Sequence, residues 1–277
     1  MIKLLLVLLF SINLFAQQRI VALSPAVNEI IFALGDGDKI VGNTSYCNFP
    51  EESKKISKVG GYFNPSLEKI IALKPDLVIM QQNNYRLDQK LKKLHIKTQI
   101  IKINRLKNIK KSILDIGTTL NKEKKAKEIV ASIDNELRLI KNIITNKKIL
   151  IVFGHNLSLI SRIFVAGQNI YFDDIINESS NINAFQSDRK GQPVLGLENI
   201  IATNPDIVIL LAHSRKEKGL QRDELLKPWK TLPINAVRSD SIYIFDNVND
   251  GIPSDRIIYF LKDFRTLLND YKTRVSK

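Results

Sequence analysis

The sequence Pro-Ser-Leu-Glu-Lys-Ile-Ile-Ala-Leu-Lys-Pro-Asp-Leu-Val-Ile-Met at residues 65–80 recurs at residues 195–210 as Leu-Gly-Leu-Glu-Asn-Ile-Ile-Ala-Thr-Asn-Pro-Asp-Ile-Val-Ile-Leu. Nine of the sixteen positions are identical at a constant offset of 130 residues. In each copy, apolar residues spaced for one helix face precede a proline, and a continuous apolar strand follows it. Such strands are typical of parallel sheets covered on both faces. One repeated unit in each half of the chain indicates two lobes of similar construction.

The segments around the repeat alternate in the same way. Predicted strands cover residues 19–23, 98–103, 149–153 and 241–245, and predicted helices cover residues 26–34, 85–94, 170–178 and 255–271. Alternating strands and helices predict an α/β fold with mainly parallel, Rossmann-like sheets in both lobes.

The segment between the halves, residues 108–146, carries isoleucine and leucine at helical spacings of three and four and contains no proline. A continuous helix here would run roughly 55 Å at about 1.5 Å per residue, too long for one lobe. We therefore expect a single long α-helix that joins an N-terminal lobe, residues 17–107, to a C-terminal lobe, residues 147–277. The sequence Asn121-Lys122-Glu123 is the place where this helix could break in two.

The first 16 residues are predicted to be a secretory signal peptide. Lys3 is followed by an apolar run at residues 4–10, which residues 12–16 extend after Ser11, and then by two glutamines. The alternative is a buried first strand. No cysteine lies directly after the predicted cleavage site, so we expect no lipid anchor. The single cysteine, Cys47, leaves the mature chain without an internal disulfide.

The composition argues against two broad classes of function. The net charge is +14, from 42 Lys and Arg against 28 Asp and Glu, but the basic residues are dispersed and no nucleic-acid-binding motif accompanies them. The chain also has no Gly-x-Ser-x-Gly, phosphate-loop or His-Glu-x-x-His motif. We expect a solvated basic surface, no nucleic-acid partner and no catalysis, with a cleft enzyme of the same architecture as the rival interpretation.

Four segments carry a family resemblance. They are Ile-Val-Ala-Leu-Ser-Pro at 20–25 with Asn28-Glu29, Val41-Gly42 leading into Tyr-Cys-Asn-Phe-Pro at 46–50, Gly-Gly-Tyr-Phe-Asn-Pro-Ser-Leu-Glu at 60–68, and Lys-Pro-Asp-Leu-Val at 74–78. In these segments the chain resembles the periplasmic binding proteins of importers for vitamin B12, siderophores and haem. The segments at 46–50 and 60–63 are most similar to the cobalamin-binding branch.

The resemblance implies a monomeric periplasmic protein without a cofactor of its own. Such a protein binds a small molecule between its lobes, closes by a small hinge motion, and delivers the ligand to an inner-membrane ABC permease driven by an ATPase. A corrinoid is the expected ligand, and a ferric siderophore or haem is the alternative. The cobalamin proteins carry tryptophans around the ligand, whereas the only tryptophan here, Trp229, lies in a stretch that indicates surface. Tyr62 and Phe63 would have to substitute.

Five aromatic residues are candidate ligand contacts because they lie beside glycine or proline or in polar loops rather than in apolar strands. They are Tyr46, Phe49, Tyr62, Phe63 and Tyr85. Large flat ligands need apolar aromatic surface with a few polar anchors. Partial burial under loops remains the alternative for each.

Polar candidates lie where predicted strands end or where the resemblance places the cleft. His155 and His213 follow apolar strands, and ligands of open α/β sheets bind at the carboxyl ends of strands, although both could be plain loop residues. Further candidates for hydrogen bonding to the ligand are Arg86, Arg189, Asp250 and Arg256. Cys47 is expected to be buried or ligand-facing, and we expect no metal site built by the protein itself.

Glu68 and Glu198 occupy the same position in the two copies of the repeat. In the family that the chain resembles, a glutamate at this place on each lobe docks onto arginines of the permease. The alternative is that each carboxylate only stabilises the first turn of its helix, by about 0.3–1 kcal/mol.

Overall fold

A computed structural model describes residues 18–160, 162–187, 192–213, 215–247 and 251–275 of the chain. The predicted signal peptide at 1–16 and the candidates Arg189 and Asp250 lie outside the described residues. No helix among the described residues has the length and hydropathy of a membrane span.

The chain forms ten described strands and ten described α-helices. The strands are β1 (Ile20–Ala22), β2 (Ile40–Asn43), β3 (Leu77–Gln81), β4 (Lys97–Ile101), β5 (Lys148–Phe153), β6 (Ile163–Val165), β7 (Ile182–Asn183), β8 (Val194–Leu195), β9 (Ile207–Leu211) and β10 (Ile242–Phe245). The helices are α1 (Pro25–Ala33), α2 (Leu67–Ala72), α3 (Tyr85–Lys93), α4 (Leu106–Thr119), α5 (Glu123–Ile140), α6 (Tyr171–Glu178), α7 (Leu197–Thr203), α8 (Arg222–Leu226), α9 (Asn235–Arg238) and α10 (Ile257–Val275).

Two sheets with the same parallel core confirm the predicted fold class. The first sheet has the strand order β2-β1-β3-β4, and all of its pairs are parallel. The second contains the parallel series β7-β5-β9-β10 and adds β6 and β8 as antiparallel strands. The two copies of the sequence repeat form α2 with β3 and α7 with β9, which occupy equivalent places in the two series.

The repeated Pro-Asp pair has a structural role that is the same in both lobes. The Asp76 carboxylate accepts a hydrogen bond from the backbone N–H of Arg19 at 2.8 Å, and the Asp206 carboxylate accepts one from Lys148 at 2.9 Å. In return, the backbone N–H of each aspartate donates to the carbonyl of the same partner. Each aspartate therefore ties the start of its own strand to the start of the neighbouring strand.

The segment between the halves folds as two helices, so the prediction of one helix over 108–146 is wrong in its bounds. α4 ends at Thr119 and α5 begins at Glu123, with Asn121 at φ 57° between them. Nζ of Lys110, in the first half of α4, lies 2.7 Å from Oδ1 of Asp134, in the second half of α5. The two helices therefore run antiparallel. The break at 121–123 is therefore present, and α5, with 18 residues, is the long helix that leads into the second lobe.

One hydrophobic core runs through both lobes by way of this helix pair. It joins Ile20 of the first sheet, Ile133 of α5 and Phe260 of α10. The outer face of the second sheet has its own core, which includes Trp229 at 0% exposure. The expectation that Trp229 lies on the surface is therefore wrong, because the segment around α8 packs its ring against the sheet.

Candidate functional site

A cavity of about 690 Å³ lies between the lobes, at the carboxyl ends of strands from both sheets. The first lobe contributes Pro25, Glu29, Tyr46, Asn48, Phe49, Glu51 and Lys54, and the second contributes Phe153, Tyr171, Gln192, His213, Glu217, Gly251, Ile252 and Arg256. Tyr46, Phe49, His213 and Arg256, all predicted from the sequence, are thus brought together in one place. The cavity combines aromatic rings with a few charged and polar groups, as small-molecule sites do.

The floor of the cavity is an ion pair that crosses from one lobe to the other. Nη1 of Arg256, just before α10, lies 2.9 Å from Oε1 of Glu29 on α1. The Ser254 hydroxyl donates to Oε2 of the same carboxylate at 2.6 Å. The guanidinium carbon of Arg256 also lies 3.8 Å from the centre of the Phe49 ring. Glu29 is 4% exposed and Arg256 is 2% exposed, so the pair is almost fully desolvated.

Burial has the largest effect on the pKa values of the two carboxyl groups at the cavity floor, Glu29 and Asp255. It raises the pKa of Glu29 to about 7, even though the Ser254 hydroxyl and Arg256 favour the ionised form. Burial likewise raises the pKa of Asp255 to about 6. The free-energy cost of removing the Glu29 carboxylate from water therefore exceeds the stabilisation of its charge by Ser254 and Arg256, as is common for buried ion pairs.

The loop that presents Tyr46 and Phe49 is fixed from below by Asn28. The Asn28 side-chain amide donates to the carbonyl of Phe49 at 2.9 Å and to the Ser53 hydroxyl at 2.7 Å. Tyr46 is 64% exposed at the rim of the cavity. Cys47 points the other way, because its thiol is fully buried and lies 3.3 Å from the Thr44 hydroxyl. Burial raises the pKa of this thiol, which keeps it protonated.

Three of the candidates line a second hollow, on the first lobe, instead of the cavity. Phe63, Tyr85 and Arg86 share a hollow of about 740 Å³ with Glu68. Phe63 is 82% exposed and its ring packs edge-on against Tyr62, at 4.6 Å between centres. The Tyr62 hydroxyl donates to Gln81 at 2.7 Å.

The two candidate histidines belong to the second lobe, and of the two only His213 lines the cavity. Nδ1 of His213 is 3.2 Å from the carbonyl oxygen of Asn247, and burial lowers the pKa of His213 so that its imidazole is neutral near pH 7. Gly251, at φ 107°, approaches so closely that an added Cβ would lie 2.9 Å from Nε2 of His213. His155 has its Nδ1 3.5 Å from the Lys218 ammonium and does not line the cavity. Within the described ranges, no group of three or more His, Cys, Asp or Glu side chains could hold a metal ion.

Glu68 and Glu198 lie in the first turns of α2 and α7, and both are exposed. Each helix leads into a parallel strand and therefore runs opposite to it, so its N-terminus lies at the carboxyl edge of its sheet. Hydrogen bonds from its own backbone N–H and from the Ser66 hydroxyl, at 2.8 Å, lower the pKa of Glu68.

The sequence interpretation did not single out Glu29 or Tyr171 as site residues. Glu29 is the one charged residue in the helix Pro-Ala-Val-Asn-Glu-Ile-Ile-Phe-Ala, and a lone carboxylate among apolar neighbours was a usable signal. Tyr171 follows an ordinary loop, and nothing in the sequence distinguishes it. Its hydroxyl donates to the Gly251 carbonyl at 2.6 Å, which fixes the loop beside His213.

The chain is similar to known binding proteins in both its sequence and its structure. The family described as periplasmic binding protein matches residues 20–248. The uncharacterized ABC transporter substrate-binding lipoprotein YvrC of Bacillus subtilis is 31% identical over 239 residues, which cover 83% of this chain and 73% of that protein. The vitamin B12-binding protein of Vibrio parahaemolyticus is 28% identical over 244 residues, covering 87% and 86%. A solved structure, a possible iron-binding periplasmic solute-binding protein from Staphylococcus epidermidis, is similar with a TM-score of 0.70 at 27% identity and covers 90% of this chain and 98% of its own.

Proposed function

The chain belongs to the periplasmic binding protein family, and on that premise we propose that it is the periplasmic component of an ABC importer that captures a corrinoid between its lobes. The observation that carries the proposal is the interlobe cavity, whose walls come from both lobes. A ligand held by both walls stabilises the closed arrangement, and the closed protein then delivers it to the permease.

The choice of a corrinoid rests on the lining and on the relatives. Tyr46, Phe49, Phe153 and Tyr171 give the cavity aromatic surface, and the vitamin B12-binding protein of Vibrio parahaemolyticus aligns over 87% of the chain. Arg256 and His213 would supply polar contacts to the amide and phosphate groups of such a ligand.

A ferric siderophore or haem is the second candidate. The observation that favours it is His213, whose neutral imidazole faces the cavity and could bind iron held in a ligand. The similarity to a possible iron-binding protein from Staphylococcus epidermidis supports the same alternative.

Calorimetric titration of the purified mature protein with cyanocobalamin, haemin and a ferric catecholate distinguishes these candidates. We expect submicromolar affinity for cyanocobalamin. Submicromolar affinity for an iron complex with no response to cyanocobalamin would replace the corrinoid by the iron ligand. Chemical turnover of any of the three by the isolated protein would favour the remote alternative, a cleft enzyme.

We further propose that Glu68 and Glu198 dock the loaded protein onto the permease. Both carboxylates are exposed at the carboxyl edge of their sheets, the same edge at which the cavity lies. Tyr85 and Arg86, which share the hollow with Glu68, would lie within this docking face rather than against the ligand. We also propose that the predicted signal peptide exports the protein and that the protein acts as a monomer.

A further inference from the structure

The ion pair between Glu29 and Arg256 separates two hollows. One is the interlobe cavity of about 690 Å³, and the other is a hollow of about 780 Å³ on the opposite side of the pair. Glu29, Phe49 and Arg256 line both. At this level, the contact between the lobes is therefore only a few side chains thick.

A second contact between the lobes lies on the side of the helix pair. Arg105, at the start of α4, forms an ion pair with Asp174 of α6, with Nε 2.9 Å from Oδ2. The backbone N–H of Leu106 donates to the same carboxylate at 2.7 Å. This contact lies beside the continuous hydrophobic core, whereas the Glu29 contact lies between two open hollows. The lobes are thus held firmly on one side and by a thin bridge on the other.

We propose that Glu29 is a positioning residue of the ligand site: it holds Arg256 against Phe49 on the cavity floor and thereby sets the separation of the two lobes. The bridge depends on both hydrogen bonds to its carboxylate, from Arg256 at 2.9 Å and from Ser254 at 2.6 Å, since both donors come from the other lobe. The relevance of this separation to ligand capture rests on the proposed function, but the separation itself is a property of the free protein.

The charge state of Glu29 then influences the separation. Burial raises the pKa of Glu29 to about 7 in the bridged arrangement, whereas a carboxylate exposed by opening would titrate at its ordinary value of 4.5. The bridged arrangement therefore binds the proton more tightly, and acidification favours it. Raising the pH through 7 ionises Glu29 and loosens the bridge.

Other titratable and charged groups face the bridge and must be separated from Glu29. Asp255, Arg256 and Cys47 act on it directly. The other titratable groups that line the two hollows are Asp38, Tyr46, Glu51, Glu52, Lys54, Lys55, Tyr171, His213, Glu217 and Tyr259. Asp255 is the main competitor, because burial raises its pKa to about 6.

The test is the distance between spin labels on the two lobes of the ligand-free protein, measured at pH 5.5 and 8.5. The labels are placed by Lys69→Cys and Asn199→Cys, equivalent exposed positions on α2 and α7, in a Cys47→Ser background. We expect one narrow distance at pH 5.5 and a population shifted by more than about 2 Å at pH 8.5. Glu29→Gln, which keeps the shape and a carbonyl acceptor, should give the narrow distance at both values of pH.

Removal of the side chain gives the opposite result. Glu29→Ala, which deletes both hydrogen bonds, should show the shifted population already at pH 5.5. Glu217→Ala removes a carboxylate that lines the same cavity outside the bridge and should match the parent, and Asp255→Asn should retain the parent's pH response.

A parent-like distribution in Glu29→Ala at both values of pH would overturn the proposal. If Glu29→Ala does not fold, the label distance in the parent protein provides the test. A distance that does not change between pH 5.5 and 8.5 contradicts the bridge. Neither result depends on a ligand, so a failure here leaves the proposed function to be tested separately by calorimetry.

Discussion

At the scale of single residues, the buried carboxylate of Glu29 joins the two lobes at the floor of the cavity. Its pKa is raised from 4.5 to about 7, so the folded protein holds a proton that the unfolded chain would release. The sign follows from this difference: the contribution of Glu29 to stability is present below about pH 4.5 and is lost as the pH rises through about 7.

The corresponding variant should gain stability as the pH rises. Relative to the parent, Glu29→Gln should become more stable between pH 5 and 8, by about 1–3 kcal/mol in the free energy of unfolding. Urea denaturation at a series of pH values measures this difference. A constant difference between variant and parent across that range would show that Glu29 does not titrate there.

The Glu29 bridge also shows where prediction from sequence ends. Its two charged partners are 227 residues apart, and no periodicity or motif joins them. Trp229 is a comparable case, because its neighbours Lys227, Pro228 and Lys230 indicate surface while packing under the second sheet buries it. By contrast, Tyr46 and Phe49, predicted as ligand contacts because they lie in polar loops or beside proline rather than in apolar strands, do line the cavity; their contact with a ligand stays a prediction.

At the scale of elements, the repeat predicted two lobes of similar construction, each with a helix that leads into a buried parallel strand. The aspartate of each copy is needed because it accepts a hydrogen bond from the neighbouring strand, which explains why Pro-Asp recurs before both strands. The pair of helices α4 and α5 was harder to predict from the sequence, because apolar spacing alone does not distinguish one long helix from two antiparallel ones. The left-handed backbone conformation of Asn121 separates the two helices, and this conformation is seen only in the structure.

Removing either aspartate should destabilise the protein. We expect Asp76→Ala to cost about 1 kcal/mol and Asp206→Ala to cost more, because Asp206 also accepts a hydrogen bond from Asn235 at 3.0 Å. Urea denaturation of the two variants gives the comparison. Equal or negligible losses would mean that these strand ties do not contribute to stability.

The helix pair should not tolerate a side chain at Gly117. A Cβ there would lie 2.4 Å from the Cβ of Ala126, closer than the two helices allow. Gly117→Ala should therefore destabilise the protein by about 1–3 kcal/mol through overpacking, despite the better helix propensity of alanine.

The matched control for Gly117 is Thr118→Ala at the adjacent exposed position of the same helix, which should leave the midpoint of thermal unfolding nearly unchanged. If Gly117→Ala were as stable as this control, the close approach of α4 and α5 would be wrong.

At the scale of the whole molecule, the two lobes expose equivalent carboxylates, Glu68 and Glu198, which we propose to dock onto the permease. Reversing both charges, in Glu68→Lys with Glu198→Lys, should abolish uptake in cells while leaving ligand affinity within about twofold, because charges at a docking rim act on association and not on a remote cavity. The control reverses two exposed carboxylates on α5, Glu123 and Glu128, and should transport normally. Normal uptake by the Glu68 and Glu198 variant would contradict the docking role.

We propose above all that the ligand is held between the lobes, in contact with both. The most direct measurement is the calorimetric affinity of the ligand that binds best, in Tyr46→Ala from the first lobe, in His213→Ala from the second, and in Tyr85→Ala outside the cavity. We expect both cavity variants to weaken binding by more than about tenfold, or 1.4 kcal/mol, and Tyr85→Ala to retain the parental affinity. Loss of affinity in Tyr85→Ala, with Tyr46→Ala and His213→Ala unchanged, would contradict binding between the lobes.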